Sequence, residues 1–284
     1  MNPLFAVLLG IIQGLTEFLP ISSTAHLTFA GKLLGFISAE HPQAWTAFIA
    51  VVQLGTLAAV LIYFWGDITT IIRALVRDVL SNGSGQGLKG YSADSRMAFN
   101  IAIGTIPVGV IGFTLKHLIE GVLTKTTFVL AGSLIGLALL LWLAEKSSKH
   151  TRTFEEVTWV DALIIGFAQA FALIPGSSRS GTTITAALYL GFTRHAAARF
   201  SFLLSIPAVL ASGVFELLRI DPQVFELGFG SLFIATVVSA ISGYAAIAWL
   251  LRYLVRHTTM VFVVYRIILG VAVLVMVLLG WLDP

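Results

Sequence analysis

The chain has 284 residues, 57% apolar and 11% charged, where soluble domains carry about 25% charge. It has no cysteine, which excludes disulfides and thiolate metal sites. Lys and Arg number 17 against 14 Asp and Glu, and this surplus lies in short segments between apolar runs, so it reads as a topology signal and not as a nucleic-acid surface.

These bounds predict an all-α polytopic membrane protein whose main solvent is lipid. The N-terminal pentapeptide MNPLF has no positive charge and Glu17 interrupts the apolar run behind it, which argues against a cleaved leader. The first apolar region, Leu4–Phe36, is too long for one span and carries a polar, proline-containing interruption at its centre. Broken helices at membrane depth are tolerated where they are buried in protein or line a cavity, so the region is expected to be a re-entrant helical hairpin.

Ordinary spans are then expected at Trp45–Trp65, Met97–Leu115 and Thr127–Ala144. The stretch Gly66–Arg96 between the first two reads as the longest loop, with SNGSGQG (Ser81–Gly87) as a flexible linker. The polar segment 145–158 divides the chain into halves at about 1–144 and 159–284 of one integral-membrane domain. A second hairpin is expected at Ala162–Phe192, and three further spans at Arg199–Leu218, Leu227–Leu251 and Val261–Leu282. The predicted fold is thus six transmembrane helices plus two re-entrant hairpins.

If the helix ending at Trp65 exits to the cytoplasm, eleven Lys and Arg lie inside and four outside, with Arg179 and Arg266 in embedded segments. Both termini are then external and the hairpins enter from opposite faces. The interruptions GIIQGLTEFLPISST (Gly10–Thr24) and GFAQAFALIPGSSRS (Gly166–Ser180) share an opening Gly-x-x-Gln and a closing Pro-x-Ser-Ser. Together these features predict an inverted-topology repeat whose broken elements meet near the midplane. TIPVGVIG and SIPAVLASG also look alike but occupy different positions in helix order.

In the first hairpin Gln13 and Glu17 are spaced to share a helix face. Pro20 ends the entering arm, and Ser22, Ser23 or Thr24 caps the returning one. His26 lies three residues beyond Ser23. In the second hairpin Arg179 sits between Ser178 and Ser180, with Thr183 one turn on. An arginine at membrane depth needs a partner or a task, and a guanidinium fork beside hydroxyls and a helix start suits phosphate. Glu17 and Arg179 are alternatively a structural ion pair. Gln13 and Gln169 serve either a ligand or freed backbone, and Gln53 and Asn100 read as helix–helix glue. A carboxylate, a histidine, hydroxyls and an arginine in one pocket are equipment for phosphoryl transfer, with serine, histidine or water as the attacking group.

QGLTEFLPISSTAH and PGSSRSGTT resemble the two signature motifs of the bacterial undecaprenyl-diphosphate phosphatase family, the bacitracin-resistance type. The resemblance extends over essentially the whole chain, including QLGTLAAV (Gln53–Val60), FSFLLSIP (Phe200–Pro207) and VYRIILG (Val264–Gly270). It implies dephosphorylation of a polyprenyl diphosphate lipid to the monophosphate carrier recycled for peptidoglycan synthesis, in the bacterial inner membrane with the site facing the periplasm. It places Glu17, Ser23, His26 and Arg179 in the catalytic site. Ser22, Thr24, Ser178, Ser180 and Thr183 are expected to bind the phosphates. It also implies magnesium or calcium, held by Glu17 with Gln13, which stands where the family often has glutamate.

Phosphatidic-acid-type phosphatases, with histidine six residues after Ser-Arg, are excluded because the next histidine after Arg179 is His195. The competing reading is a transporter or flippase of an anionic polyprenyl lipid, since inverted repeats with broken helices are transporter features. The small residues Gly132, Gly136, Ser239 and Gly243 allow tight helix contacts, within one subunit or across a homodimer.

Overall fold

The computed structural model describes residues 1–37, 42–81, 90–115, 126–217 and 228–282, and these residues are almost wholly helical. The first hairpin is α1 (Pro3–Phe18) and α2 (Ser23–Leu33), followed by α3 (Pro42–Tyr63), α4 (Trp65–Ser81), α5 (Ala93–Thr114) and α6 (Thr127–Ser147). The second hairpin is α7 (Trp159–Ala170) and α8 (Arg179–Tyr189), followed by α9 (Arg194–Leu217), α10 (Phe229–Arg256) and α11 (Met260–Leu278). Five helices, α5, α6, α9, α10 and α11, are long and apolar enough to cross a membrane, and α3 with α4 forms a sixth candidate bent by 69°. The chain is a helical, multi-pass membrane protein.

One expectation fails between Gly66 and Arg96, where α4 takes up the first half of the expected loop. Ile68, Ile71, Ile72, Leu75, Val76 and Val79 recur at helical spacing, and no Gly or Pro lies between Asp67 and Ser81. Its four charges hid it from a search for apolar spans. The corner with α3 is anchored by Phe64, which is buried beside Phe202. Most of the expected linker Ser81–Gly87 lies outside the described residues.

The hairpin arms are short. At 1.5 Å per residue α1 reaches about 24 Å and α2 about 16 Å, less than the ~30 Å hydrocarbon thickness. Each first arm ends where a residue preceding proline turns extended, Leu19 before Pro20 and Ile174 before Pro175. The hairpins pack reciprocally: α1 lies along α10, and α7 lies along α5, the equivalent helix of the other half. Counterparts also meet directly, α6 on α11 and α3 on α9. Glycine permits the closest approach, since a β-carbon on Gly10 would sit 2.5 Å from the Ala235 carbonyl oxygen, and one on Gly166 would collide with the backbone of Gly104. Ser239 and Gly243 make contacts within the chain, to Val52 and Phe18, whereas Gly132 and Gly136 face open space.

Ion pairs gather at one end of the bundle. Arg152 forks onto Asp161 at 2.6 and 2.9 Å while lying over the Phe192 ring, and Glu145 accepts from Arg194 Nε at 2.7 Å and from the Thr259 hydroxyl at 2.7 Å. Arg199 pairs with Asp67 there. This end carries the basic residues assigned to the cytoplasm, so the polar segment 145–158 is stapled to helix ends, with a short helical turn at Phe154–Glu156.

Candidate active site

Both returning arms begin with the same backbone device. Ser22 at φ +74° caps α2, accepting from Ala25 N, and Ser178 at φ +67° caps α8, accepting from Gly181 N at 3.2 Å. A left-handed serine costs on the order of 1–3 kcal/mol and persists only where its surroundings hold it. His26 Nδ1 lies 2.7 Å from the Ser22 carbonyl oxygen, which fixes the first cap. The second cap is Ser178, not Ser177 as Pro-x-Ser-Ser would align it. Ser22 stands nine positions after Gln13 and Ser178 nine after Gln169, so the proline is displaced by one between the copies and the cap is not. In this register Ser23 and Arg179 are equivalents, each the first residue of its helix.

Behind both bends lies Arg266 of α11, fully buried and donating to five carbonyl oxygens. One belongs to Pro20 in the first bend, at 3.3 Å, and two belong to Gly176 and Ser177 in the second, at 3.2 and 3.1 Å. Those of Ser133 and Leu134 come from α6. The sequence placed this arginine in an embedded segment but gave no sign of its partners.

Between the bends is a cavity of about 190 Å³ lined by Gln13, Glu17, Ser22, Ser23, Thr24, Gln53, Gln169, Ser178 and Arg179 over an apolar floor. The two proline segments that looked alike in sequence both reach it, through Val108 of α5 and through Ala208 and Val209 of α9. Glu17 is its hub. Its Oε1 accepts from Arg179 Nη2 at 2.7 Å and Gln53 Nε2 at 3.3 Å, and its Oε2 accepts from Ser23 Oγ at 2.6 Å and Gln13 Nε2 at 3.1 Å. Gln53 therefore belongs to the site and is not merely glue between helices. Only its place one turn before Leu57 on an otherwise apolar face could have singled it out.

Several polar atoms here are buried without a partner among the described residues: Arg179 Nη1, Gln13 Oε1 and both amide atoms of Gln169. Leaving such groups dry costs about 1–3 kcal/mol each, and their presence in one cavity is what a polar ligand would satisfy. The starts of α2 and α8 add first-turn N–H groups and the positive ends of two helix dipoles.

Other expected site residues lie outside the cavity. His26 turns away from it, with Nε2 2.5 Å from Tyr265 Oη and the two rings stacked. Because the Ser22 carbonyl can only accept, Nδ1 carries a proton, and in the neutral ring the Tyr265 hydroxyl would donate to Nε2. Ser180 donates to the Leu19 carbonyl oxygen at 3.1 Å and so links the hairpins. Thr183 is fully buried against Arg179 O and Ser201 Oγ, behind the start of α8. No group of three His, Cys, Asp or Glu able to hold a metal exists among the described residues.

The family model described as bacitracin resistance protein BacA matches residues 6–272. The undecaprenyl-diphosphatase of Syntrophobacter fumaroxidans is 52% identical over 277 residues, covering 98% of each chain. That of Chloroherpeton thalassium is 50% identical over 100% of this chain and 99% of its own. The undecaprenyl-diphosphatase of Myxococcus xanthus is 49% identical over 100% of this chain and 92% of its own.

Proposed function

The chain belongs to the bacitracin resistance protein family, and from that premise we infer that it is an undecaprenyl-diphosphatase, a membrane phosphatase acting on a polyprenyl diphosphate lipid. The observation that carries the chemistry is the contact of Ser23 Oγ with Glu17 Oε2, beside an arginine with one nitrogen still free. A nucleophile, its base and an anion clamp meet in one cavity.

In the proposed mechanism Arg179 Nη1, the Gln169 amide and the N–H groups opening α2 and α8 hold the terminal phosphate. Glu17 takes the proton of Ser23 as Oγ attacks the terminal phosphorus. The bond from that phosphorus to the bridging oxygen breaks, and undecaprenyl phosphate leaves with the electron pair. A monophosphate is a stable anion and leaves without an acid, so His26 is not required as proton donor. It acts instead by holding the strained Ser22 cap. Glu17 gives that proton up to solvent and is again a carboxylate. It then deprotonates a water that attacks the phosphoserine phosphorus, the bond from phosphorus to Oγ breaks, inorganic phosphate leaves, and Ser23 Oγ takes the proton back from Glu17.

A divalent cation also fits. Gln13 Oε1 is a buried oxygen without a partner one helical turn from the Glu17 carboxylate, and magnesium commonly takes one or two carboxylates together with substrate phosphates. Glu17 and Gln13 would hold it, and it would neutralise charge on the diphosphate. Chelation should then abolish turnover and added magnesium or calcium restore it; turnover indifferent to chelator would remove the ion from the scheme.

The chemistry is complete within one chain, so a homodimer is not needed for it. The cell membrane is the proposed location, with the site opening to the external side that the distribution of Lys and Arg assigns. Purified protein in detergent should release phosphate from undecaprenyl diphosphate, and brief turnover followed by mass spectrometry should find one phosphate on Ser23. A Ser23→Ala protein with undiminished turnover would pass the attack to water. Lipid translocation in sealed vesicles that survives loss of hydrolysis would favour the flippase reading.

A further inference from the structure

Building on the reaction proposed above, we infer that the cleft between α3 and α9 is the passage by which the prenyl chain leaves the diphosphate cavity for the bilayer. The cavity, at about 190 Å³, lies below the ~300–1,000 Å³ that encloses a drug-sized ligand. It has room for a diphosphate but not for a long hydrocarbon, so the chain must exit through a wall.

One wall opens in a suitable way. A second space of about 230 Å³ is lined by Ile49, Ala50, Gln53 and Leu54 of α3 and by Val209, Ser212 and Gly213 of α9. Four of these residues, Ile49, Gln53, Val209 and Ser212, also line the diphosphate cavity, so the two spaces share a wall. On α3 the shared row is Ile49 and Gln53 and the outer row is Ala50 and Leu54, two adjacent strips of one helix face. Gln53 marks the threshold, because its amide donates to Glu17 on the inner side. Among the described residues no charged one lines the cleft, as a hydrocarbon chain requires. Its width depends on small residues: a β-carbon on Gly213 would sit 2.9 Å from Leu54 Cδ2.

A rival exit exists over Gly132 and Gly136, in a space of about 410 Å³ between α6 and the Phe171–Ile174 turn. It shares only Ile174 with the diphosphate cavity, and Ser178 and Arg179 do not line it. Larger volume without a common wall makes it a lipid-facing recess, not a continuation of the site.

The test is a chain-length series. The ratio of kcat/KM for undecaprenyl diphosphate to that for dimethylallyl diphosphate is measured in detergent for the full-length wild type, Gly213→Leu, Ala50→Phe and Gly136→Leu. Filling the passage should lower the ratio by ~tenfold or more in both cleft variants, with farnesyl diphosphate intermediate, while Gly136→Leu keeps the wild-type ratio. An unchanged ratio in both cleft variants, or a fall in Gly136→Leu, overturns the passage. A wild type that cleaves none of the three substrates overturns the reaction itself. The two failures are therefore distinct.

Discussion

The first and second hairpins use one backbone plan for opposite chemistry. Each runs a short helix carrying a buried glutamine, breaks at a proline and restarts nine residues after that glutamine on a left-handed serine cap. The first helical residue is Ser23 in one copy and Arg179 in the other, and among the described residues lining the cavity the acid, Glu17, comes from the first copy. The two hairpins bring two helix starts to a common cavity. At that equivalent position the copies differ, a hydroxyl meeting Glu17 on one side and a guanidinium meeting it on the other.

Removing the clamp should break this division most severely. Arg179→Ala is expected to lower kcat/KM for undecaprenyl diphosphate by ~10²–10³, the scale of losing a charge-stabilising donor. Arg179→Lys should recover only part, since a point charge cannot both hold Glu17 and present a second nitrogen. Wild-type turnover in Arg179→Ala would mean that the second hairpin is scaffolding.

The next largest effect should fall on both hairpins together. Arg266→Met leaves the carbonyls of Pro20, Gly176 and Ser177 without a donor, at about 1–3 kcal/mol each, and thermal unfolding in detergent should drop accordingly. An unchanged unfolding temperature would show that the bends hold themselves.

The two glutamines sharpen the contrast. Gln13 donates to Glu17, whereas the Gln169 amide has no partner among the described residues. Gln169→Leu should therefore leave stability equal or raise it by about 1 kcal/mol, while kcat/KM falls by ~tenfold or less. Gln13→Leu should lower both. Equal stability losses would make Gln169 structural.

Smallest of all, Tyr265→Phe removes the donor to His26 Nε2 and should reduce kcat/KM a few-fold, on the order of 1 kcal/mol. A much larger loss would return His26 to the proton-transfer steps.

The sequence made the two breaks legible because proline, hydroxyls and a glutamate stand out in an apolar chain, and Glu17, Ser23 and Arg179 meet in one cavity. It did not reveal α4, whose helical period is carried by a segment too charged for a span search. Nor did it give the cap register, because the displaced proline draws the eye to Ser177. The directions taken by His26 and Thr183 depend on rotamers and neighbours distant in sequence, Tyr265 and Ser201, which no local spacing encodes. Gln53 looked like any polar residue in a membrane helix until its amide was found on Glu17.

Arg266 also bears on how this molecule can move. A rocking transporter alternates by sliding one half past the other, and whatever lies on the boundary must let go on every cycle. Here a single guanidinium rooted in the last helix is bolted to main-chain oxygens of both halves, so such a slide would strand a bare cation deep in the protein. That bolt favours a stationary cleft where lipids come and go over a machine that rocks.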